Sequence, residues 1–407
     1  MSDKQTLNDL AVFGGPVAFE EVRHVGAPNV GDRARLLERI NAALDRRWLT
    51  NDGPYVQEFE KRIAELCGVR HCVATSNATI ALEITVRALD IQGEVIIPSM
   101  TFIATAHALQ WQGITPVFCD VDAESFTLDA DRIEELVTPR TSAIIGVHLW
   151  GRSCRIDKLT DLAQRRNLKI VFDAAHAFGC SWNGEMIGGF GDAEVFSFHA
   201  TKFLNSFEGG AVVTNNDELA AKLRVMRNFG FAGYDNVVSV GTNGKMSEVS
   251  AAMGLTGLES LDEFIAVNAR NYRQYREELS DVDGVTLLEY DDAEKQNYQY
   301  VVLLVDDQIT RATRDQLMDL LWAENVRARR YFYPGCHRMQ PYDSLYPQPA
   351  GRLRVTERLV QQVLLVPTGT TISSQDISTI CRIIRFAVSH GAEINRLMSA
   401  EVGTHAG

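Results

Sequence analysis

The sequence predicts an α/β fold: a mostly parallel central sheet with helices on both faces, followed by a smaller α+β unit. Three observations carry this expectation. From about residue 33 to 310, helix-spaced segments alternate with strand-like runs. The runs "EVIIP", "TPVFCDV", "SAIIGVHLW" and "KIVFDAA" are short, apolar and bounded by Pro, Gly or Asp, which suits strands buried on both faces. Near residue 260 the pattern changes to a long polar helix and a different mix of elements.

In chain order, "DRARLLERINAALDRRWL" and "YVQEFEKRIAELCGV" have helical spacing. A strand "HCVAT" runs into a helix "ATIALEITVRAL", and the apolar runs follow, separated by the helical segments "DADRIEELV" and "IDKLTDLAQRRN". "EFIAVNARNYRQYREELSDV" reads as a helix able to bridge two units. After it come the strand "YQYVVLLV", the helix "RDQLMDLLWAEN", the strand-like "VRARRYFY" and a last helix around "ISTICRIIRFAVSHGAEINRL". The expected division is an N-terminal arm over 1–30, a large α/β domain over 31–260 and a small α+β domain over 261–407.

Bulk properties narrow the function classes. At 407 residues the chain exceeds one small core. A net charge of −13 argues against non-specific nucleic-acid binding, which requires a positive field. Seven cysteines without regular spacing do not make a disulfide framework, so a reducing, cytoplasmic compartment is expected. No run reaches the roughly 18 apolar residues of a membrane span, and the N-terminus has no signal-peptide pattern. No zinc spacing or His-Glu-x-x-His occurs, so no metal is expected.

Four places carry candidate chemistry. In "FSFHATKFLNSFEGGAVVT", Lys202 falls in irregular backbone between two core strands, where reactive residues tend to be held. In "LKIVFDAAHAFG", Asp173 ends an apolar strand, where parallel sheets bind ligands, and Ala174 and Ala175 allow close approach of a flat ring. In "VATSNATIALEI", Ser76, Asn77, Ala78 and Thr79 open a helix whose free N–H groups suit a phosphate. In "IIPSMTFIATAHAL", Phe102 follows a Pro-Ser turn and can stack on a ring. Singly, each has a plainer reading: a solvated lysine, a turn-capping Asp, an N-cap, a core Phe. Together they meet the four needs of pyridoxal 5′-phosphate: a lysine for covalent attachment, a carboxylate for the pyridinium nitrogen, a ring cover and a phosphate cradle.

The ordered motifs "WLTNDGPYVQEFEKRIAEL", "SNAT", "PSMTFIAT", "PVFCDVD", "FDAAHAFG", "SFHATKFLNSFEGG", "GTNGKMSEVSAAMG", "YFYPGCH" and "VPTG" span nearly the whole chain. In this set the chain resembles the DegT-type sugar-nucleotide aminotransferases, a fold-type-I family using pyridoxal 5′-phosphate. Within the family it is similar to the branch acting at C4 of dTDP-4-keto-6-deoxyglucose in the desosamine pathway, through "FSFHATK", "FEGGAVVT" and "GVHLWGR". The resemblance implies an aspartate-aminotransferase-like fold, with Lys202 as covalent anchor and Asp173 on the pyridine nitrogen. It further implies His176 near the cofactor's 3′-oxygen, Phe102 and Ala175 on its two faces, and Ala78, Thr79 and Ser197 on its phosphate. Asn243 would reach that phosphate from the neighbouring subunit of a homodimer. Tyr331, His337, Arg329 and Arg330 are the implied substrate contacts, with "NDGPYV" as the other wall.

The activity so implied is transfer of an amino group from L-glutamate to C4 of a dTDP-4-keto-6-deoxy-hexose, for secondary-metabolite or glycan biosynthesis. A related sugar 3-dehydratase has His where the lysine stands; Lys202 favours a transferase. Alternatives are amination at C3 of a nucleotide sugar, amination of a keto-inositol, and a non-enzymatic cofactor-binding regulator.

Overall fold

The computed structural model describes residues 4–404. The outermost residues of the expected arm and of the expected C-terminal unit, 1–3 and 405–407, lie outside the described residues. Helices α1 (Arg33–Arg46) and α2 (Pro54–Cys67) lead into strand β1 (His71–Thr75) and helix α3 (Ala78–Ala88). There follow β2 (Glu94–Pro98), α4 (Ile103–Gln110), β3 (Thr115–Cys119), β4 (Thr141–Val147), α5 (Ile156–Arg166), β5 (Lys169–Asp173), β6 (Ala193–Ser197) and β7 (Gly210–Thr214). These seven strands form one sheet in the order β1-β7-β6-β5-β4-β2-β3. Only β7 runs against its neighbours; every other pairing is parallel.

The apolar strand runs arise because both faces are covered. Along β5, Phe172 packs into the core shared with α2 and α5, whereas Val171 packs into the opposite core shared with α4. With a side-chain period of 2, Asp173 falls on the Val171 face, towards α4. Ser197 on β6 and Gly210 on β7 fall on that same face by the same count, two residues from Val195 and Val212.

Helices α6 (Asp217–Met226) and α7 (Glu248–Glu259) complete the layers, and α8 (Leu261–Leu279) follows directly. A second, antiparallel sheet takes the order β8-β9-β10, from Val285–Leu287, Val301–Val305 and Val363–Val366. Helices α9 (Arg314–Ala323), α10 (Arg354–Gln362), α11 (Ser374–Ser389) and α12 (Gly391–Thr404) belong to this part of the chain. Among the described residues no helix is long and apolar enough to cross a membrane.

Two expected elements differ. "VRARRYFY" forms a strand only over Val326–Arg327. Beyond it the backbone turns, with Tyr333 N–H bonded to the Arg330 carbonyl and Gly335 N–H to the Phe332 carbonyl, both at 2.7 Å. Tyr331 and Phe332 stack on each other at 5.0 Å instead of alternating across a sheet. The single last helix is two, broken at His390. A Cβ on Gly391 would lie 1.8 Å from the Thr310 carbonyl oxygen, so the break falls where two backbones meet.

The two sheets are tied together at the carboxyl edge of the first. Asp120, just after β3, accepts from the N–H groups of Val355 and Thr356 and so caps α10 from across the molecule. Ser99, just after β2, bonds the Thr356 hydroxyl and accepts from Cys336 N–H.

Candidate active site

The C-terminal ends of β1, β6 and β5, with the reversed start of β7 between them, converge on one edge. Gly210 pairs with Thr75 on one side and Ser197 on the other. Here the absence of a side chain is required: a Cβ at 210 would lie 2.5 Å from Asn77 C and 2.6 Å from Ala78 N. The turn that opens α3 therefore rests directly on β7. Asn77 caps that helix by accepting from Ile80 N–H, which leaves the N–H groups of Ala78 and Thr79 for a ligand. Ser197 lies beside them, buried, its hydroxyl 3.5 Å from His199 N–H.

On β5, two strands over from β7 and level with Val195, stands Asp173. It is 6% exposed. One carboxylate oxygen accepts from the Thr105 hydroxyl at 2.8 Å and the other from Ala175 N–H at 3.2 Å. Burial pushes its pKa up, opposed by these two hydrogen bonds and by the charge of Lys202. Thr105 was not singled out in the sequence; its signal is a hydroxyl on the first turn of α4, in phase with Phe102.

Lys202 sits in the turn between β6 and β7, its N–H bonded to the His199 carbonyl at 2.8 Å. Its amine reaches the Tyr300 hydroxyl at 3.3 Å and forms no ion pair with Asp173 among the described residues. Burial lowers its pKa to about 8, with the Asp173 charge opposing. His176 is buried beside Tyr300, ring centroids 4.7 Å apart. Its Nδ1 accepts from Trp150 N–H, so the neutral ring carries its proton on Nε2. Burial, and then Lys202, push its pKa well down.

Phe102 is 54% exposed despite its size, and its ring meets Phe332 at 5.7 Å. Ala175 lies two residues past Asp173, to whose carboxylate it donates its N–H. These residues fit pyridoxal 5′-phosphate: a cradle of free N–H groups seated on a glycine, a buried carboxylate, an uncovered aromatic ring and an amine held off from the carboxylate.

The implied substrate residues diverge. Tyr331 stands 6.4 Å from Tyr300, and the exposed Arg329 guanidinium lies over its ring at 5.0 Å without an ion pair among the described residues. Arg330 is engaged elsewhere, bonded to Asp315 at 2.8 Å and stacked on Tyr333 at 4.2 Å. His337 is only 1% exposed, its ring nitrogens without hydrogen bonds, Nε2 3.9 Å from Glu357, and its pKa pushed down by burial to about 4. In "NDGPYV", Asp52 bonds Arg227 at 2.9 Å, and the N–H groups of Tyr55 and Val56 donate to the buried Glu248. Asn243 accepts from Lys245 at 2.7 Å, next to Gly244, whose carbonyl takes the Ser76 N–H.

Residues 31–385 match the model of the DegT/DnrJ/EryC1/StrS aminotransferase family. The chain is 37% identical over 367 residues to the dTDP-4-amino-4,6-dideoxy-D-glucose transaminase of Shigella dysenteriae, covering 90% of this chain and 99% of the relative. It is 35% identical to the GDP-perosamine synthase of Caulobacter vibrioides, over 88% and 95% of the two chains. Its fold superposes with a TM-score of 0.93 on the crystal structure of DesI in the presence of its TDP-sugar product, at 50% identity, covering 97% of this chain and all of that one. Helicobacter pylori PseC, an aminotransferase involved in pseudaminic acid biosynthesis, superposes at 0.82 with 26% identity, over 90% and 99%.

Proposed function

The chain belongs to the DegT/DnrJ/EryC1/StrS aminotransferase family, and from that premise we propose that it moves an amino group from L-glutamate to C4 of a dTDP-4-keto-6-deoxy-hexose. The observation that carries this reading is the half-buried Lys202 amine, left unpaired with the buried Asp173 carboxylate. The nucleotide, sugar and position rest on the transaminase relative and on DesI.

When bound, pyridoxal 5′-phosphate supplies a carbonyl carbon that carries nitrogen between two substrates and a ring that accepts the electron pair left by a departing proton. The N–H groups of Ala78 and Thr79 and the Ser197 hydroxyl donate to its phosphate. Asp173 holds a proton at the pyridine nitrogen, and Thr105 and Ala175 N–H fix the carboxylate for that task. His176 would donate from Nε2 to the 3′-oxygen, and Phe102 and Ala175 would cover the ring.

Lys202 must be neutral to attack. At pH 7.5 an ordinary lysine is about 0.1% neutral, whereas a group titrating at about 8 is about a quarter neutral. Released, the same amine moves the substrate proton in each half of the reaction. Tyr331 borders the sugar, and Arg329, free of ion pairs among the described residues, meets the diphosphate; Arg330 and His337 complete the implied set.

The same reading extends to a cytoplasmic homodimer with shared sites, Asn243 reaching the partner's phosphate. It also keeps the division into an arm over 1–30 and domains over 31–260 and 261–407. Exposed apolar side chains at Leu44, Trp48 and Leu49, and at Val237, Val238 and Val240, support a surface covered by a second copy.

Half-reactions test the assignment. Glutamate should bleach the visible band of the purified protein, and a dTDP-4-keto-6-deoxy sugar should restore it. Restoration by a 3-keto sugar alone would move the chemistry to C3, an outcome given weight by a 36% identical relative, the dTDP-3-amino-3,6-dideoxy-alpha-D-galactopyranose transaminase of Aneurinibacillus thermoaerophilus.

A further inference from the structure

We propose that Tyr300 is a positioning residue for Lys202, its phenol holding the free amine in place without fixing its charge. The inference rests on the reading of Lys202 as the covalent anchor. Among the described residues, the Tyr300 hydroxyl is the only hydrogen-bond partner of the amine, at 3.3 Å. Tyr300 immediately precedes β9, so the partner comes from the second sheet and not from the strands that carry Lys202 and Asp173.

The phenol is itself held. Its ring is buried against His176 at 4.7 Å and meets Tyr331 edge-on at 6.4 Å. Its backbone carbonyl accepts from the Tyr290 hydroxyl at 2.8 Å. The preceding residue repeats the attachment: the Gln299 side-chain oxygen accepts from Phe203 N–H at 3.2 Å. Residues 299 and 300 thus hold residues 203 and 202 in register.

The choice of a phenol has a chemical reason. A carboxylate at this distance would keep the amine as an ammonium and suppress attack. A neutral hydroxyl accepts from the ammonium and donates to the free amine, so it orients both states. The groups facing the pair are Asp173, His176 and Tyr331. Burial keeps His176 neutral and pushes the Tyr300 phenol pKa well up, so the phenol retains its proton. Asp173 supplies the one opposing charge.

The test uses cofactor-free protein and competitive labelling of lysines with trace acetic anhydride across pH, each site read by mass spectrometry. In the wild-type chain Lys202 should titrate near 8, well below the other lysines. Tyr300→Phe keeps the ring and removes the hydroxyl. The Lys202 titration point should then fall further, because of the two bonds lost the one to the charged amine is the stronger. Capture of added pyridoxal 5′-phosphate above pH 9, where the amine is neutral in both chains, should slow by about fivefold in its visible absorption, the equivalent of one neutral hydrogen bond. A titration point unchanged or raised, or an unchanged capture rate, would overturn the role of Tyr300 alone. An ordinary lysine titration in the wild-type chain would sink the anchor reading, and this inference with it.

Discussion

At the residue scale the two groups that would do the work are a half-buried amine and a buried carboxylate, and they are kept apart. Were Lys202 and Asp173 in contact, each would hold the other charged and neither would be free for chemistry. The amine, half neutral near pH 8, is charged below that pH and neutral above it. Cofactor capture by the apo-protein should therefore rise with pH and level off above about 8, which stopped-flow absorbance would record; a rise continuing towards 10.5 would contradict the buried setting. Borohydride reduction should place the trapped adduct on Lys202, and peptide mapping to another lysine would refute the anchor. For Asp173 the informative change is Asp173→Asn. It should bind cofactor but lose orders of magnitude in turnover, since an amide does not hold the pyridinium proton. A loss of only a few-fold would mean another acid serves that nitrogen.

At the scale of elements, the cradle depends on how closely the β1–α3 turn approaches β7. Gly210→Ala places a methyl 2.5 Å from Asn77 C, against backbone that has no soft atom to yield. The turn must move, misaligning the N–H groups of Ala78 and Thr79. Cofactor affinity should fall about ten- to a hundredfold with the fold intact, the worth of a charge-assisted hydrogen bond. An absorbance titration with cofactor gives the answer, and unchanged affinity would remove that turn from the site. On the other face of the sheet, Glu194 of β6 and His148 after β4 are both fully buried, 3.8 Å apart. Burial pushes Glu194 up to about 8 and His148 down to about 3, so both are uncharged in the fold. The sign for Glu194 follows from its raised value. The folded state binds the extra proton between the unfolded value of 4.5 and about 8, so stability is full below that window and declines as pH rises through it. Glu194→Gln should gain stability relative to wild type as pH goes from 5 to 9, by about a few kcal/mol. Thermal melts at both ends of that range suffice; parallel curves would mean that Glu194 is ionised in the fold.

In the molecule as a whole, the proposed cofactor floor would lie on one sheet and part of its wall on another. Asp120 and Ser99 join the two through α10 and Cys336. The exposed apolar side chains near α1 and in the 229–240 loop lie outside both cores. If a second copy covers them and lends Asn243, mixed Lys202→Ala and Asn243→Ala protomers should yield heterodimers with one complete site. Subunit exchange confirmed by native mass spectrometry, with no return of cofactor affinity, would rule out shared sites.

The large sheet was legible in the sequence because its strands are buried on both faces and bounded by breakers. "HCVAT" and "EVIIP" are strands over the very residues named. Lys202 and Asp173 stand out in the sequence for a related reason: a polar residue ending an apolar strand, or following one, contradicts its surroundings unless it has a task. Tyr300, Thr105 and Glu248 do not, because each acts on a residue far away in the chain and looks locally like packing or a helix position. "VRARRYFY" misled in the same way. Its β-branched and aromatic content suits a strand, but in the fold it turns, with Phe332 packed against Phe102 and His176. By itself the sequence determined which segments are buried and where the reactive groups fall along them, since burial periodicity is local. The tertiary structure decided which groups meet and which stay apart, because a hydrogen bond between residues 202 and 300 exists only once two sheets have closed on each other.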